Sequence, residues 1–192
     1  MVSLAAKNIT AVYRSASDEQ KLSGLLWYKE ANALAHELDP NDPVRAAAVI
    51  AVLSPRLPWP KNIEAARDAY AGRKLRVLGL NALKAQQLLS GEKPDDIVKG
   101  PKVRAFWHAI VNPNDGRAVV VDRHSFDVAA GVVTDDETRS ILSRKGMYEN
   151  VVKLYVRASH ILTRETGTLI TPVEVQATTW VAWRESKRGM AA

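Results

Sequence analysis

Apolar residues recur at every third or fourth position along most of the chain, which is the period of an amphipathic α-helix. The clearest case is residues 147–161, where Tyr148, Val151 and Tyr155 fall on one helical face. Residues 118–121 form the only strand-like run, and one segment of four residues is too short to build a sheet. The pattern therefore predicts an all-α fold.

Polar and breaker residues mark where these helices begin and end. Three pairs have the spacing of a capping box, in which two side chains satisfy free backbone N–H groups: Ser17 with Gln20, Thr134 with Glu137, and Thr171 with Glu174. Asp42 is predicted to cap a helix whose apolar face runs from Ala46 to Leu53. Further helices are predicted at residues 62–70, 81–89 and 103–111, each followed by a glycine or a proline.

The composition restricts the chemistry and the partners. The chain has 192 residues and a formal net charge of +6, which favours an anionic partner, nucleic acid first. It lacks cysteine, and its four histidines match no metal-ligand spacing, so we expect no metal and no cofactor. No segment approaches the roughly 18 apolar residues of a membrane span, and the N-terminus lacks a signal-peptide pattern. We therefore expect a cytoplasmic monomer without a membrane partner.

The β-branched run is followed by the most informative residue of the chain. Asp122 comes directly after Val121 and opens a short amphipathic segment that includes His124 and Phe126. An aspartate there can cap the helix and stay ionised against the positive end of the helix dipole. Such a carboxylate is either only a cap or a fixed negative charge aimed at a substrate. His124 either orients the aspartate or a substrate phosphate, or is structural.

The order of elements before Asp122 is more specific. A helix that ends near Gly91 is followed by a short segment at residues 94–98, a glycine turn at residues 99–102 and a second helix. This arrangement resembles the helix–hairpin–helix DNA glycosylase superfamily of the endonuclease III type, without its iron–sulfur cluster. In that family a similar hairpin precedes Val-Asp-Thr-His and an aromatic residue. The chain has Val-Asp-Arg-His at residues 121–124, followed by Phe126.

The resemblance covers about residues 45–131 and implies a single two-lobed helical domain over residues 1–192. Residues 45–131 would form the helix–hairpin–helix lobe, and the N- and C-terminal helices would form the second lobe. The implied function is a DNA glycosylase that hydrolyses the N-glycosidic bond of a modified or mispaired base. Asp122 would stabilise positive charge on the sugar or deprotonate the attacking water, with His124 beside it.

The resemblance also implies residues that contact DNA. Arg56 falls at the position of the residue that fills the space left by an extruded base, and Trp59 would either stack on a base or close the space between the lobes. The expected phosphate contacts are Lys61 and the hairpin residues Lys99, Gly100, Lys102 and Arg104.

The chain departs from the family pattern at several positions. Pro101 removes a backbone donor from the hairpin. Arg104 falls where lyase-competent members have a lysine, which implies a monofunctional enzyme, although a small gap would bring Lys102 to that position. Arg123 replaces a small residue and Asp127 replaces a commonly basic one, so the class of substrate stays open.

Two alternatives remain open for the function. One is an enzyme of viral DNA thymine hypermodification on the same fold, and the other is a catalytically inactive DNA-binding module. A pocket that joins Asp122 to Arg56 and Trp59 would favour catalysis, whereas an Asp122 sealed by its own capping hydrogen bonds would favour the binding module. Trp180 and Trp183 are interpreted as core packing of the last helix, and the basic residues 184–188 as solvated or near a phosphate.

Overall fold

The computed structural model describes the backbone of residues 2–190 and the side chains of residues 2–186. Over this part the chain is helical and contains no strand, which confirms the predicted all-α fold. Its helices are α1 (Ala6–Ser15), α2 (Asp18–Leu38), α3 (Pro43–Leu53), α4 (Trp59–Tyr70), α5 (Gly79–Leu89), α6 (Pro94–Ile97), α7 (Pro101–Val111), α8 (Arg123–Ala130), α9 (Asp136–Arg139), α10 (Met147–Thr166) and α11 (Pro172–Met190), and a 3₁₀ turn spans Ser140–Ser143. Among the described residues, no helix combines the length and the apolar character that a membrane span needs.

Three of the predicted caps, at Ser17, Asp42 and Thr171, are confirmed by hydrogen bonds. The N–H of Ser17 donates to Gln20 Oε1 at 2.9 Å and the N–H of Gln20 donates to Ser17 Oγ at 3.2 Å, which completes the first capping box. Asp42 accepts the N–H of Arg45 at 2.9 Å, and Thr171 accepts the N–H of Glu174 at 3.2 Å. Helices α4 and α7 begin earlier than predicted, because a proline in the first turn already has a helical φ angle.

The predicted capping box at Thr134 and Glu137 is wrong. Asp135 caps α9 instead, since its carboxylate accepts the N–H of Thr138 at 2.7 Å. The hydroxyl of Thr134 donates to Asp127 at 2.6 Å, and the backbone N–H of Thr134 donates to the same oxygen at 3.1 Å. The side chain of Thr134, which the sequence pattern assigned to the start of α9, therefore binds the buried carboxylate of Asp127 instead.

That carboxylate belongs to a buried ion pair. The side chain of Asp127 has no exposed surface, and it accepts two hydrogen bonds from Arg139, at 3.1 Å from Nε and 3.0 Å from Nη2. The hydrogen bonds to Asp127 raise the pKa of the Arg139 guanidinium above its ordinary value. Asp127 thus links α8 to α9, and its acidic character is explained by this structural contact.

The chain divides into two compact units. Unit 1 contains Met1–Trp27 and Asp115–Ala192, and unit 2 contains Tyr28–Asn114. Residues 115–131, which the resemblance grouped with the hairpin, lie in the unit that the two ends of the chain form. Asp122 and the hairpin are therefore in different units.

Helix α3 forms the centre of unit 2. Its residues from Ala46 to Leu53 are all buried, and α4, α5, α6 and α7 pack around them. At its start, Arg45 Nε binds the carboxylate of Asp42 at 2.8 Å and lowers the pKa of that carboxyl. Nη1 of the same arginine donates to the carbonyl of Leu88 at 2.6 Å, which fixes α5 against α3.

Helices α1, α8, α10 and α11 pack together in unit 1. The run at residues 118–121 leads into α8 without pairing to a strand. The hydroxyl of Tyr148 accepts the N–H of Val121 at 3.0 Å and donates to the carbonyl of Val119 at 3.1 Å. One side chain of α10 thus satisfies the buried backbone groups that a sheet would otherwise satisfy, and burial raises the pKa of Tyr148 to about 12.

Replacing Gly24 with Ala is expected to destabilise unit 1. A Cβ at this position in α2 would lie 2.6 Å from the backbone N of Thr178 in α11, too close for carbon and nitrogen. Overpacking of this kind costs roughly 1–3 kcal/mol, more than the gain of up to about 1 kcal/mol in helix propensity. Gly79→Ala is the matched control, because nothing lies within 4 Å of its Cβ position. A Gly24→Ala protein that melts as high as the Gly79→Ala protein would contradict this packing.

Candidate functional site

Asp122 is the N-cap of α8, as predicted. Its Oδ1 accepts the backbone N–H groups of His124 and Ser125, each at 2.9 Å, and the hydroxyl of Ser125 at 3.2 Å. The extended run before it and the helix after it thus meet at a fixed carboxylate. The side chain is intermediate in exposure.

The other oxygen of Asp122 has a different partner. Oδ2 accepts the indole N–H of Trp180 at 2.9 Å, and among the described residues this is its only hydrogen bond. A carboxylate oxygen can accept two, so one lone-pair direction of Oδ2 is left for water or a ligand. The interpretation of Trp180 as core packing is therefore incomplete, because this tryptophan of α11 also orients the carboxylate.

Aromatic and cationic groups surround the indole of Trp180. The ring of Trp27 lies 4.8 Å from it between centroids, and the guanidinium carbon of Arg184 lies 4.2 Å from its centroid. The ring of His124 approaches edge-on at 6.3 Å. We call Asp122, His124, Trp180, Trp27 and Arg184 the Asp122 site; all five belong to unit 1.

Arg184 is thus placed by a cation–π contact, whereas the side chains of residues 187 and 188, the other basic members of that tail, lie outside the described residues. Trp27 was missed by the sequence analysis, and Arg184 was expected in solvent or near a phosphate rather than over Trp180. Their signal was weak, because neither belongs to a motif and both depend on contacts between distant parts of the chain.

A buried polar network holds the start of α8. The hydroxyl of Ser125 lies within hydrogen-bond distance of two acceptors, the carboxylate of Asp122 and the carbonyl of Val120. Its oxygen accepts a hydrogen bond from Gln176 Nε2 at 3.3 Å. The hydroxyl of Tyr155 donates to the carbonyl of Ser125 at 2.9 Å, and burial raises the pKa of Tyr155. Groups from α8, α10 and α11 therefore fix the position of the Asp122 carboxylate.

His124 lies beside the carboxylate. Its backbone N–H forms the cap, and its Nε2 is 3.3 Å from the Nε of Arg123, which donates to it. The predicted proximity of His124 to Asp122 is present, and its imidazole faces Trp180 and Arg123.

The predicted wedge residues lie in unit 2, between α3 and α4. Arg56 is exposed and has a φ angle of 64°, the only positive value among the non-glycine residues described. The N–H of Leu57 donates to the carbonyl of Ser54 at 3.1 Å, which closes a turn with Arg56 in the third position. A non-glycine residue in this left-handed region costs about 1 kcal/mol or more, a strain that is common at functional sites.

Trp59 and Lys61 follow this turn on the first turn of α4. The ring of Trp59 is half-buried and lies edge-on to Phe106 of α7, with centroids 6.4 Å apart. Lys61 is paired with Glu64 at 2.8 Å on the surface. Trp59 therefore packs within unit 2 and still keeps part of its surface open.

Of the hairpin residues, Lys99 and Gly100 lie between α6 and α7, and Lys102 and Arg104 lie at the start of α7. Gly100 has a φ angle of 82°, a conformation that favours glycine, and it is the N-cap of α7. The Lys99 ammonium donates to the carbonyl of Asp95 at 2.8 Å, and Arg104 is paired with the Asp95 carboxylate at 3.0 Å. Neither Lys99 nor Lys102 forms an ion pair with the described residues, so both leave positive charge uncompensated at the hairpin.

The predicted site residues thus form three groups. Asp122 and His124 lie together in unit 1, whereas unit 2 contains the turn with Arg56, Trp59 and Lys61 and the hairpin with Lys99, Gly100, Lys102 and Arg104. No group of three histidine, aspartate or glutamate side chains among the described residues could hold a metal ion.

Comparisons with known proteins add one result to this geometry. No curated protein and no solved structure matches the chain. A family model does match it, over residues 2–187, nearly the whole sequence. The chain therefore belongs to the family described as "Family of unknown function (DUF7178)".

Proposed function

We propose that the protein binds DNA and hydrolyses the N-glycosidic bond of a modified or mispaired base, with Asp122 as the catalytic carboxylate. The observation that carries the proposal is that the two carboxylate oxygens of Asp122 have different hydrogen-bond partners. Oδ1 is fully used by the start of α8, and Oδ2 is oriented by Trp180 with a lone pair remaining. An anion held this firmly meets a developing positive charge without having to reorganise.

The reaction needs such an anion at the sugar. As the bond between C1′ and the base nitrogen breaks, its electron pair leaves with the base, which takes up a proton, and positive charge develops on the sugar. Asp122 stabilises that charge. Water then bonds to C1′ on the face opposite the departing base and gives a proton to Oδ2 on that same face. Solvent supplies the proton that the base takes up and receives the proton from Asp122. The remaining product is an intact strand with an abasic site.

The proposed DNA contacts lie in unit 2. Lys99 and Lys102 are the cations without an ion pair beside the Gly100 turn, and Arg104, which is paired with Asp95, lies next to them. Arg56 is exposed on a strained turn, which suits a residue that fills a gap in stacked bases. Trp59 presents the remaining surface of its ring as a base contact. These assignments extend the proposal to the binding of DNA.

One observation favours a second candidate, a DNA-binding module without catalysis. Three donors from the start of α8 and one from Trp180 already satisfy most of the carboxylate, as a purely structural cap would require. In that case the protein would bind DNA through the same cations and release no base.

Mass spectrometry of free bases separates the two candidates. The protein is incubated with duplexes that carry different modified and mispaired bases, and the supernatant is analysed for released base. We expect release from at least one duplex, a strand that breaks only after alkali, and no adduct after borohydride, because arginine at position 104 forms no Schiff base. Salt-sensitive binding to every duplex without any release would establish the binding module, and a borohydride-trapped adduct would assign Lys102 as a nucleophile.

A further inference from the structure

The outer face of α10 carries a line of basic residues. Lys153, Arg157, His160 and Arg164 are all exposed, at spacings of four, three and four residues. With about 3.6 residues per turn, these positions fall within an arc of about 60° and extend for about 16 Å along the helix. Tyr148, Val151, Tyr155, Ala158 and Leu162 form the opposite, buried face.

The cations of this face are not neutralised by ion pairs. Of the other exposed arginines among the described residues, half are paired with a carboxylate, as Arg67 is with Glu37 and Arg73 is with Asp68. In the part of the chain that the structure describes, Lys153 and Arg157 form no ion pair, and neither does His160. Glu149 lies one turn before Lys153 on the same side but forms no ion pair with it among the described residues, and Glu165 is paired with Arg14, so three of the four basic residues have no carboxylate partner on this face.

This arrangement does not stabilise the helix. Like charges four residues apart on a helix are unfavourable, by a few tenths of a kcal/mol for each pair. Arg164 has a structural role as well, because it lies in the last turn and donates to the carbonyl of His160 at 3.3 Å. Arg157 lies in the middle of α10 with no carboxylate three or four residues away, so neither the helix dipole nor a neighbouring carboxylate explains it, and Lys153 has Glu149 alone one turn before it.

We propose that Lys153, Arg157, His160 and Arg164 form a nucleic-acid surface that binds the phosphate backbone of duplex DNA without sequence preference. A line of cations about 4.5–6 Å apart along the helix matches a chain of phosphates better than one small anion. The face presents no exposed aromatic or leucine side chain among the described residues of α10, which disfavours insertion into a membrane.

The surface is distinct from the Asp122 site. Tyr155, on the buried face of α10, binds the carbonyl of Ser125 at the start of α8, so the basic face points away from that contact. DNA held there raises the local concentration of substrate and takes no part in bond cleavage. The inference therefore does not depend on base release and holds equally for a protein that only binds DNA.

The test is the salt dependence of binding to a duplex of ordinary bases, measured by fluorescence anisotropy over a series of NaCl concentrations. Each lost phosphate contact lowers the slope of log K against log salt by about 0.9. Lys153→Gln with Arg157→Gln in one protein should therefore reduce the slope by about 2. The control, Lys7→Gln with Lys29→Gln, removes the same charge from two exposed lysines outside α10 and should leave the slope nearly unchanged.

An unchanged slope in the α10 variant overturns the proposal, and so does an equal change in the control, because net charge alone would then explain the binding. Absence of binding to the duplex by the unmodified protein also overturns it. A parallel titration with phosphatidylserine vesicles serves to test the choice of polyanion: binding to vesicles but not to DNA would assign the face to a lipid surface. Circular dichroism verifies that both variants are folded.

Discussion

An Asp122→Asn protein should lose at least about a hundredfold in the single-turnover rate of base release. The substitution keeps the size and the capping ability of the side chain but removes its negative charge. If that charge balances the sugar cation, no other described group at the Asp122 site can replace it, because His124 and Arg184 are neutral or positive and the two tryptophans are neutral. DNA binding should be equal or tighter, because a negative charge is removed.

The same variant should also be less stable, for a reason that the structure reveals. Asparagine can accept the two N–H groups of α8 with its oxygen, but its NH₂ group then faces the indole N–H of Trp180. Because Trp180 is only partly buried, leaving its donor without an acceptor costs about 1 kcal/mol, the low end of the range for a buried group. In a chain of this size each kcal/mol lowers the melting temperature by about 2–4 °C.

Asp135→Asn is the matched control for this substitution. Asp135 caps α9 through the N–H of Thr138 at 2.7 Å, and no indole donates to it among the described residues. The two residues differ by only tenths of a kcal/mol at an N-cap. Its melting temperature and rate should therefore match those of the unmodified protein, and an equal loss in both variants would exclude a special role for Asp122.

The largest loss of stability is expected for Arg139→Ala. This change leaves the carboxylate of Asp127 completely buried and without its cation. Removing one partner of a buried ion pair typically costs about 3–5 kcal/mol, because the remaining charge is not solvated. Chemical denaturation should show this difference directly in the free energy of unfolding.

Asp136→Ala tests the same arginine from its other side. Arg139 also pairs with Asp136 at 3.0 Å, but the side chain of Asp136 is 98% exposed. Exposed ion pairs contribute about 0–1 kcal/mol, so this variant should be nearly as stable as the unmodified protein. Similar losses in the two variants would show that burial of Asp127 does not control the stability of this region.

Features that depend on local sequence were predicted well. The caps at Ser17, Asp42 and Asp122 follow from residue types within three positions, which is the range of a capping hydrogen bond. Helix α1 was not predicted, because its N-cap is Ala5 and it begins without a side-chain cap. Thr134 was misassigned because the competing acceptor, Asp127, lies seven residues away.

Features that depend on tertiary contacts could not be read from the chain. Trp180 donates to Asp122 across 58 positions in the sequence, and no periodicity distinguishes a tryptophan that packs from one that also orients a carboxylate. The grouping of Asp122 in one unit with the two ends of the chain also depends on contacts between residues that are distant in the sequence. A helical pattern indicates which face of α10 is buried, but only the packed structure indicates which neighbours it contacts.

A double-mutant cycle between Asp122 and Trp180 tests most directly whether the charge of Asp122, rather than its place in the fold, carries the reaction. Trp180→Phe keeps the ring and removes the indole N–H, so in that background Asp122→Asn should cost only tenths of a kcal/mol in the free energy of unfolding. The rate of base release should nevertheless stay about a hundredfold below that of the Trp180→Phe protein. A double variant that releases base as fast as Trp180→Phe alone would contradict the account and reduce Asp122 to a helix cap.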